Sequence, residues 1–306
     1  MKKKWWQKAV VYQVYPRSFQ DSNGDGIGDL GGVLKRLPYI KKLGVDVIWL
    51  NPVYKSPDKD NGYDISDYRS IQPKFGNMEI FDKLLTEAHR LGLKIVMDLV
   101  VNHTSDQHEW FKESKKSKNN PYRDFYIWRD GKDGKVPNNW GSFFGGSTWD
   151  YNESTKQYYL HLFAKGQPDL NWENSEVREH VWDLMRFWLD KGIDGFRMDV
   201  INFLSKPAGF PDAPNPKQAE FANVEPMVAD GPKLNDYLRE MNDKVLSHYD
   251  VMSVGEMPSS TPDDAIKYTG LEAKELNMVF QFDHVTLTMN DDPRLGKWND
   301  QPVKLV

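Results

Sequence analysis

The chain has 306 residues and no cysteine, which excludes disulfide staples and thiolate metal sites and fits a reducing, cytoplasmic compartment. A net charge of −5 without a long basic run removes the electrostatic footprint of a nucleic-acid binder. Apolar residues at 39% suit one large domain, or one plus an insertion, and neither a run of roughly 20 apolar residues nor a signal-peptide core follows Met1-Lys2-Lys3-Lys4, so no membrane partner is expected.

Short β-rich runs alternate with amphipathic helical stretches. Val10 to Tyr15 reads as a strand, followed by the loop Asp21-Ser22-Asn23-Gly24-Asp25-Gly26-Ile27-Gly28-Asp29. This loop places side-chain oxygens at alternating positions with glycine at the tight turns, the chemistry of a calcium loop. It predicts one structural Ca²⁺ held by Asp21, Asn23, Asp25, the Ile27 carbonyl and Asp29, and no organic cofactor. A helix over about Leu30 to Leu43 and a strand over Val45 to Leu50 complete a βαβ unit.

The alternation continues with a helix near Glu79 to Leu91 and a strand over Lys94 to Val101. After a long interruption come a helix over Ser175 to Lys191, a strand over Ile193 to Val200, a helix over Pro232 to Tyr249, a strand over Val251 to Glu256 and a sixth strand at Met278 to Phe282. The fold expected is α/β, a (β/α)₈ barrel of TIM type that is incomplete at about six strands. Residues 1–103 form its first part, 104–174 a small subdomain inserted after the third strand, and 175–306 its continuation. Residues of about 206 to 230, rich in Pro, Ala and Asn, read as a mobile loop. With strands seven and eight missing, the sequence reads as truncated, and an open sheet edge would make it prone to aggregate where the closed barrel would be a monomer.

Asp199 closes the apolar run Gly195-Phe196-Arg197-Met198-Asp199, and Glu256 closes Val251 to Glu256. Each carboxylate thus falls where a barrel strand gives way to its loop, the place where barrel enzymes carry their chemistry. A single acid at a strand end is more often a cap or a solvated group. Arg197, two residues before Asp199 on the same strand face, would hold that carboxylate ionised. Two carboxylates from two strands of one barrel are what glycoside hydrolysis with retention requires, one as nucleophile and one as proton donor. Aromatics at 13% exceed the needs of a core and suit a cleft that stacks sugar rings, although Trp182, Phe187 and Trp188 fall at helical core spacing.

The blocks Asp98-Leu99-Val100-Val101-Asn102-His103, Gln167-Pro168-Asp169-Leu170-Asn171, Gly195 to Asn202 and Val254-Gly255-Glu256 resemble, in order and spacing, the signature regions of the alpha-amylase family, glycoside hydrolase family 13. The runs Tyr12 to Phe19, Asn61 to Ile65 and Gln157 to Phe163 are similar to its oligo-1,6-glucosidase and dextran glucosidase branch. The resemblance implies that Asp199 is the nucleophile and Glu256 the acid and base, with Arg197 orienting Asp199. It also implies that Tyr63, Asp64 and His103 grip the nonreducing glucose, with Gln167, Phe163 and Phe144 as further sugar contacts and Asp98 as support for His103. Val200 resembles the branch cleaving α-1,6 links, a position trehalose-6-phosphate hydrolases share, whereas relatives preferring α-1,4 links carry Ala or Thr there.

The implied substrate is a small isomaltooligosaccharide. The family's later Asn-His-Asp signature has no counterpart around His284, so a third catalytic carboxylate is missing and activity is expected to be impaired. The competing readings are a trehalose-6-phosphate hydrolase or α-1,4-glucosidase, a catalytically inactive sugar-binding fragment, and an amylase-like ectodomain of amino-acid transporter heavy chains.

Overall fold

The computed structural model describes residues 3–215, 217–270 and 272–282; His284 and the loop-like stretch from Asp291 to Gly296 lie outside them. Among the described residues, one sheet holds six parallel strands, β1 (Val11–Val14), β2 (Val47–Leu50), β3 (Lys94–Leu99), β4 (Gly195–Met198), β5 (Met252–Glu256) and β6 (Met278–Phe280). They neighbour one another strictly in chain order, as successive strands of a (β/α)₈ barrel do.

The two-residue period of a strand gives this sheet two different faces. Ile48, Leu50, Ile95, Met97, Leu99, Phe196 and Met198 point outward into the main core, against α1 (Leu30–Lys42), α2 (Met78–Arg90), α3 (Ser175–Lys191) and α4 (Leu234–Lys244). Val47, Val96, Met252 and Val254 cluster on the inner face with Trp5, Trp6 and Met278. Two residues further along the same strands, that inner face turns polar with Trp49, Asp98, Arg197 and Glu256, so an apolar plug supports the polar layer from below.

Helix ends follow their capping chemistry. The side-chain oxygens of Asp29, Asn77 and Asn174 accept from Gly32 N, Ile80 N and Glu176 N at the starts of α1, α2 and α3. Gly192, at φ 107°, ends α3 in the left-handed conformation that glycine adopts without penalty. The helix predicted over Pro232 to Tyr249 is shorter: Val245 leaves helical geometry at φ −134° and ψ −69°, and a 3₁₀ turn, Leu246–His248, follows.

Between β3 and α3, the chain forms a three-stranded antiparallel sheet in the order Trp128–Arg129, Gln157–Leu160, Trp149–Asn152. It returns to the barrel by pairing His103 with Asp169 and by a Leu170 N to Asn102 O hydrogen bond of 2.9 Å. The stretch read as a mobile loop is tied down. Its strand Ala222–Asn223 pairs with Trp140–Gly141, Trp140 Nε1 donates to Pro211 O at 2.8 Å, and Asn139 Nδ2 donates to Ala213 O at 2.8 Å. Composition suggested a loop because it carries no period, while the partners that order it lie about 75 residues upstream.

Candidate active site

The site begins with backbone that only particular residues allow. At Gly195, φ is 148° and a Cβ would lie 1.9 Å from Met252 O, so glycine lets β4 approach β5. Four residues on the inner face and just beyond it then converge. Arg197 Nη1 lies 2.8 Å from Asp98 Oδ1 and 2.7 Å from Asp199 Oδ1, and Nη2 lies 2.6 Å from Glu256 Oε2. One buried guanidinium thus serves three carboxylates, from β3, from the residue after β4 and from β5.

The electrostatics follow from that count. Burial opposes the charge on Arg197, but the three carboxylates outweigh it and raise its pKa. Burial also pushes the acids up, against the pull of Arg197: Asp98 and Asp199 each to about 6, and Glu256, further raised by the Asp199 charge, to about 7. The Asp199 charge adds to burial in favouring the protonated form of Glu256. Carboxyl groups with separated affinities for a proton are the mark of an acid and a nucleophile working as a pair.

Val200 follows Asp199 at φ 36° and ψ 44°, a left-handed conformation that is a genuine outlier for a β-branched residue. The twist aims its N–H at Glu256 Oε2, 3.0 Å away. Its side chain packs with Ile127, Trp140 and Phe203 in the second core. The strain therefore positions the acid, and the side chain joins the insertion to the barrel.

The other sequence-derived residues divide by location. Tyr63 is largely buried, accepts from Asn51 Nδ2 at 2.9 Å, and presents its ring 5.8 Å from the Arg197 guanidinium. His103 is buried, and burial lowers its pKa, so the ring is neutral. Its Nε2 lies 3.1 Å from Tyr63 O and 3.2 Å from Gln167 Nε2. Phe163 packs 5.3 Å from the His103 ring and 5.7 Å from Phe144, which is 60% exposed at the outer edge of this aromatic group.

Asp64 follows Tyr63 on the same loop. It is fully buried, and its oxygens accept from Ser56 Oγ, Lys59 N and Asp60 N at 2.8–3.1 Å, which spends them on the loop's own geometry. Asp60, on the same loop, accepts from Gln167 Nε2 at 2.8 Å; burial raises its pKa, offset in part by Gln167 and His103. Asp58, Asp60 and Asp64 share one polar loop, and no periodicity separates them in the sequence.

Two further groups escaped the sequence. Trp49 donates its indole N–H to Asp98 Oδ2 at 2.8 Å, and Gln13 Nε2 donates to Asn51 Oδ1 at 2.8 Å; both pairs fall on the inner face by alternation. Lys206 is buried, with Nζ 2.7 Å from Asp169 Oδ2, 2.8 Å from Asn102 Oδ1 and 2.7 Å from Phe203 O. It ties the insertion to the segment that carries His103.

The Asp21 to Asp29 loop fits a hard cation in its donor chemistry. Gly24 and Gly26, both at φ 87°, make its turns. Its oxygens here engage the loop itself: Asp21 accepts from Asn23 N, Gly24 N and Gly26 N, Asp25 from Ile27 N, and Asp29 from Ser22 and Gly32 N. Among the described residues, no three His, Cys, Asp or Glu side chains converge as a ready-made metal site. No described helix is long and apolar enough to cross a membrane.

Residues 13–305 match the alpha amylase catalytic domain. The chain is 59% identical over 306 residues to an oligo-1,6-glucosidase of Bacillus cereus, covering all of this chain and 54% of that protein. It is 55% identical over 295 residues to a trehalose-6-phosphate hydrolase of Bacillus subtilis (strain 168), covering 96% and 51%. Among solved structures, an isomaltulose synthase mutant of Erwinia rhapontici NX5 in complex with D-glucose superposes at TM-score 0.94 with 51% identity, covering 98% of this chain and 53% of that one. The chain spans about half the length of the curated relatives it matches.

Proposed function

The chain belongs to the alpha-amylase family of glycoside hydrolases, and on that premise we propose that it carries the nucleophile and the acid of a retaining α-glucosidase acting on the α-1,6 bonds of short isomaltooligosaccharides. The observation that carries this reading is the Arg197 guanidinium shared by Asp98, Asp199 and Glu256. It fixes two carboxyl groups near the Tyr63 ring, whose backbone oxygen contacts His103, itself beside Gln167 and through it Asp60. The relatives named oligo-1,6-glucosidase support the choice of linkage.

In the proposed mechanism, Arg197 and Val200 N–H both engage Glu256 Oε2, which leaves Oε1 to carry the proton. Arg197 holds Asp199 Oδ1, leaving Oδ2 to attack the anomeric carbon. As the Asp199–carbon bond forms, the glycosidic C–O bond breaks and Glu256 protonates the departing oxygen. Glu256, now a carboxylate, takes a proton from water, whose oxygen displaces Asp199 from the same carbon. Two inversions give net retention. Tyr63 supplies a ring face for the glucose, while Asp60 and Gln167 accept and donate at its hydroxyls. The substrate is a neutral oligosaccharide; the closed, full-length barrel would be a monomer, the open sheet edge would make a truncated chain prone to aggregate, and a cysteine-free chain suits the cytoplasm.

Glucose release from isomaltose, panose, maltose and trehalose 6-phosphate tests the reading. Isomaltose and panose should be cleaved faster than maltose, and preference for trehalose 6-phosphate would overturn the proposal. The rate requires Asp199 ionised, which favours pH above about 6, and Glu256 protonated, which favours pH below about 7. The profile of kcat/KM should therefore be a narrow bell with its maximum between those values, the limbs belonging to the coupled pair.

A structural Ca²⁺ at Asp21, Asn23, Asp25, the Ile27 carbonyl and Asp29 is a separate proposal, supported by hard oxygen donors at alternating positions around two glycine turns. The ion would stabilise the loop that leads into α1 and takes no part in the chemistry. Calcium at one hundred times its Kd should add about 2.7 kcal/mol, seen as a Tm several degrees higher than in chelator. An unchanged Tm would remove the ion from the proposal.

A further inference from the structure

We propose that Trp49 is a positioning residue: its indole N–H holds Asp98 and its ring face seats Arg197, so that the guanidinium stays divided among three carboxylates. The inference rests on the α-glucosidase reading above and concerns the same site. Trp49 Nε1 lies 2.8 Å from Asp98 Oδ2, while the Arg197 guanidinium carbon lies 5.1 Å from the centroid of the same indole. The Phe280 ring lies 5.9 Å from it, so Trp49 is packed as well as hydrogen-bonded.

Arg197 needs such a seat. Its Nε is buried with no hydrogen-bond partner among the described residues, so none of their acceptors fixes the rotation of the guanidinium from behind. The terminal nitrogens carry all its bonds, and Nη1 is shared between Asp98 Oδ1 and Asp199 Oδ1 at 2.8 and 2.7 Å. The sharing lasts only while Asp98 remains charged, because a protonated Asp98 releases Nη1 to Asp199. Asp98 is buried, which favours its neutral form; the two donors that oppose this are Arg197 on Oδ1 and Trp49 on Oδ2. A single indole thus contributes a donor to the anion and an aromatic face to the cation, and both act on the same ion pair.

Replacing Trp49 with Phe keeps a ring but removes the N–H. Asp98 then takes a proton at higher pH, Arg197 turns toward Asp199, and Asp199 stays ionised to lower pH. The acidic limb of the kcat/KM profile on isomaltose should move to lower pH by on the order of half a unit or more, and Asp98→Asn should move it in the same direction. A ring that only fills space would lower kcat and leave the limb in place, which would overturn the inference.

A second readout needs no turnover. The indole ¹H–¹⁵N resonance that disappears in Trp49→Phe should titrate in the native chain with a midpoint near the Asp98 value of about 6, and should lose that titration in Asp98→Asn. A resonance flat from pH 4.5 to 8 would refute the contact. A native chain whose Trp49 resonance titrates but which cleaves no α-glucoside would refute the proposed function, and with it the catalytic part of this inference, while leaving the Trp49–Asp98 contact in place.

Discussion

Glu256→Gln should cut the turnover of isomaltose by about 10²–10⁴-fold, the usual contribution of a positioned proton donor. The substitution preserves shape, and the amide oxygen can still accept from Val200 N–H as Oε2 does at 3.0 Å. What it removes is the proton carried on the oxygen opposite. An aryl α-glucoside whose leaving group departs without protonation separates this loss from misfolding. On that substrate the first step should recover, the second should become limiting, and KM should fall as the glucosyl ester accumulates. A loss below tenfold on isomaltose, or an equal loss on both substrates, would show that Glu256 is not the acid.

The second large effect falls on stability. Lys206→Met should destabilise the chain by about 3–5 kcal/mol, because it leaves the Asp169 carboxylate charged and buried without its cation. Among the described residues, Asp169 retains as donors Asn102 Nδ2 at 3.1 Å and Leu162 N at 2.9 Å. Burial lowers the pKa of Lys206, and Asp169 opposes that shift, so the pair is costly to build and costlier to break. Adding Asp169→Asn to Lys206→Met should recover a substantial part of the loss, a coupling that denaturant midpoints across the four proteins would measure. Additive losses would mean that the two charges do not act together. Because Lys206 also holds Asn102, whose Nδ2 lies 3.3 Å from His103 Nδ1, the single variant should raise KM before it unfolds the protein.

The fold was legible where the sequence carries a period. Ser175–Lys191 is the helix its apolar spacing predicts, and the strands at Val11, Val47, Lys94, Gly195, Met252 and Met278 fall inside the predicted runs. Strand ends were overestimated by a residue or two, because β-rich composition continues past the last ladder hydrogen bond into the loops that carry Asp199 and His103. The folding-down of residues 206–230 was not legible, since its order comes from Trp140, Asn139 and Asn138 in the inserted subdomain.

Within the site, Asp199, Glu256 and Arg197 could be picked out because each lies at the end of a strand whose alternation fixes the face it occupies. Asp60 and Asp64 could not be told apart. They share a loop without period, and only the folded chain turns Asp64 onto Ser56 Oγ and two backbone amides while leaving Asp60 beside Gln167.

The amino-acid sequence by itself determined the succession of strands and helices, the family motifs and the identity of the paired carboxylates, because these depend on local periodicity and on residue types at strand ends. Only the tertiary structure decided how Arg197 is divided among Asp98, Asp199 and Glu256, that Trp49 and Lys206 serve buried charges, and that burial and the Asp199 charge together raise Glu256. Those outcomes depend on distances between residues as far as 104 positions apart and on the exclusion of water from the space between them, and charge interactions take their strength from both.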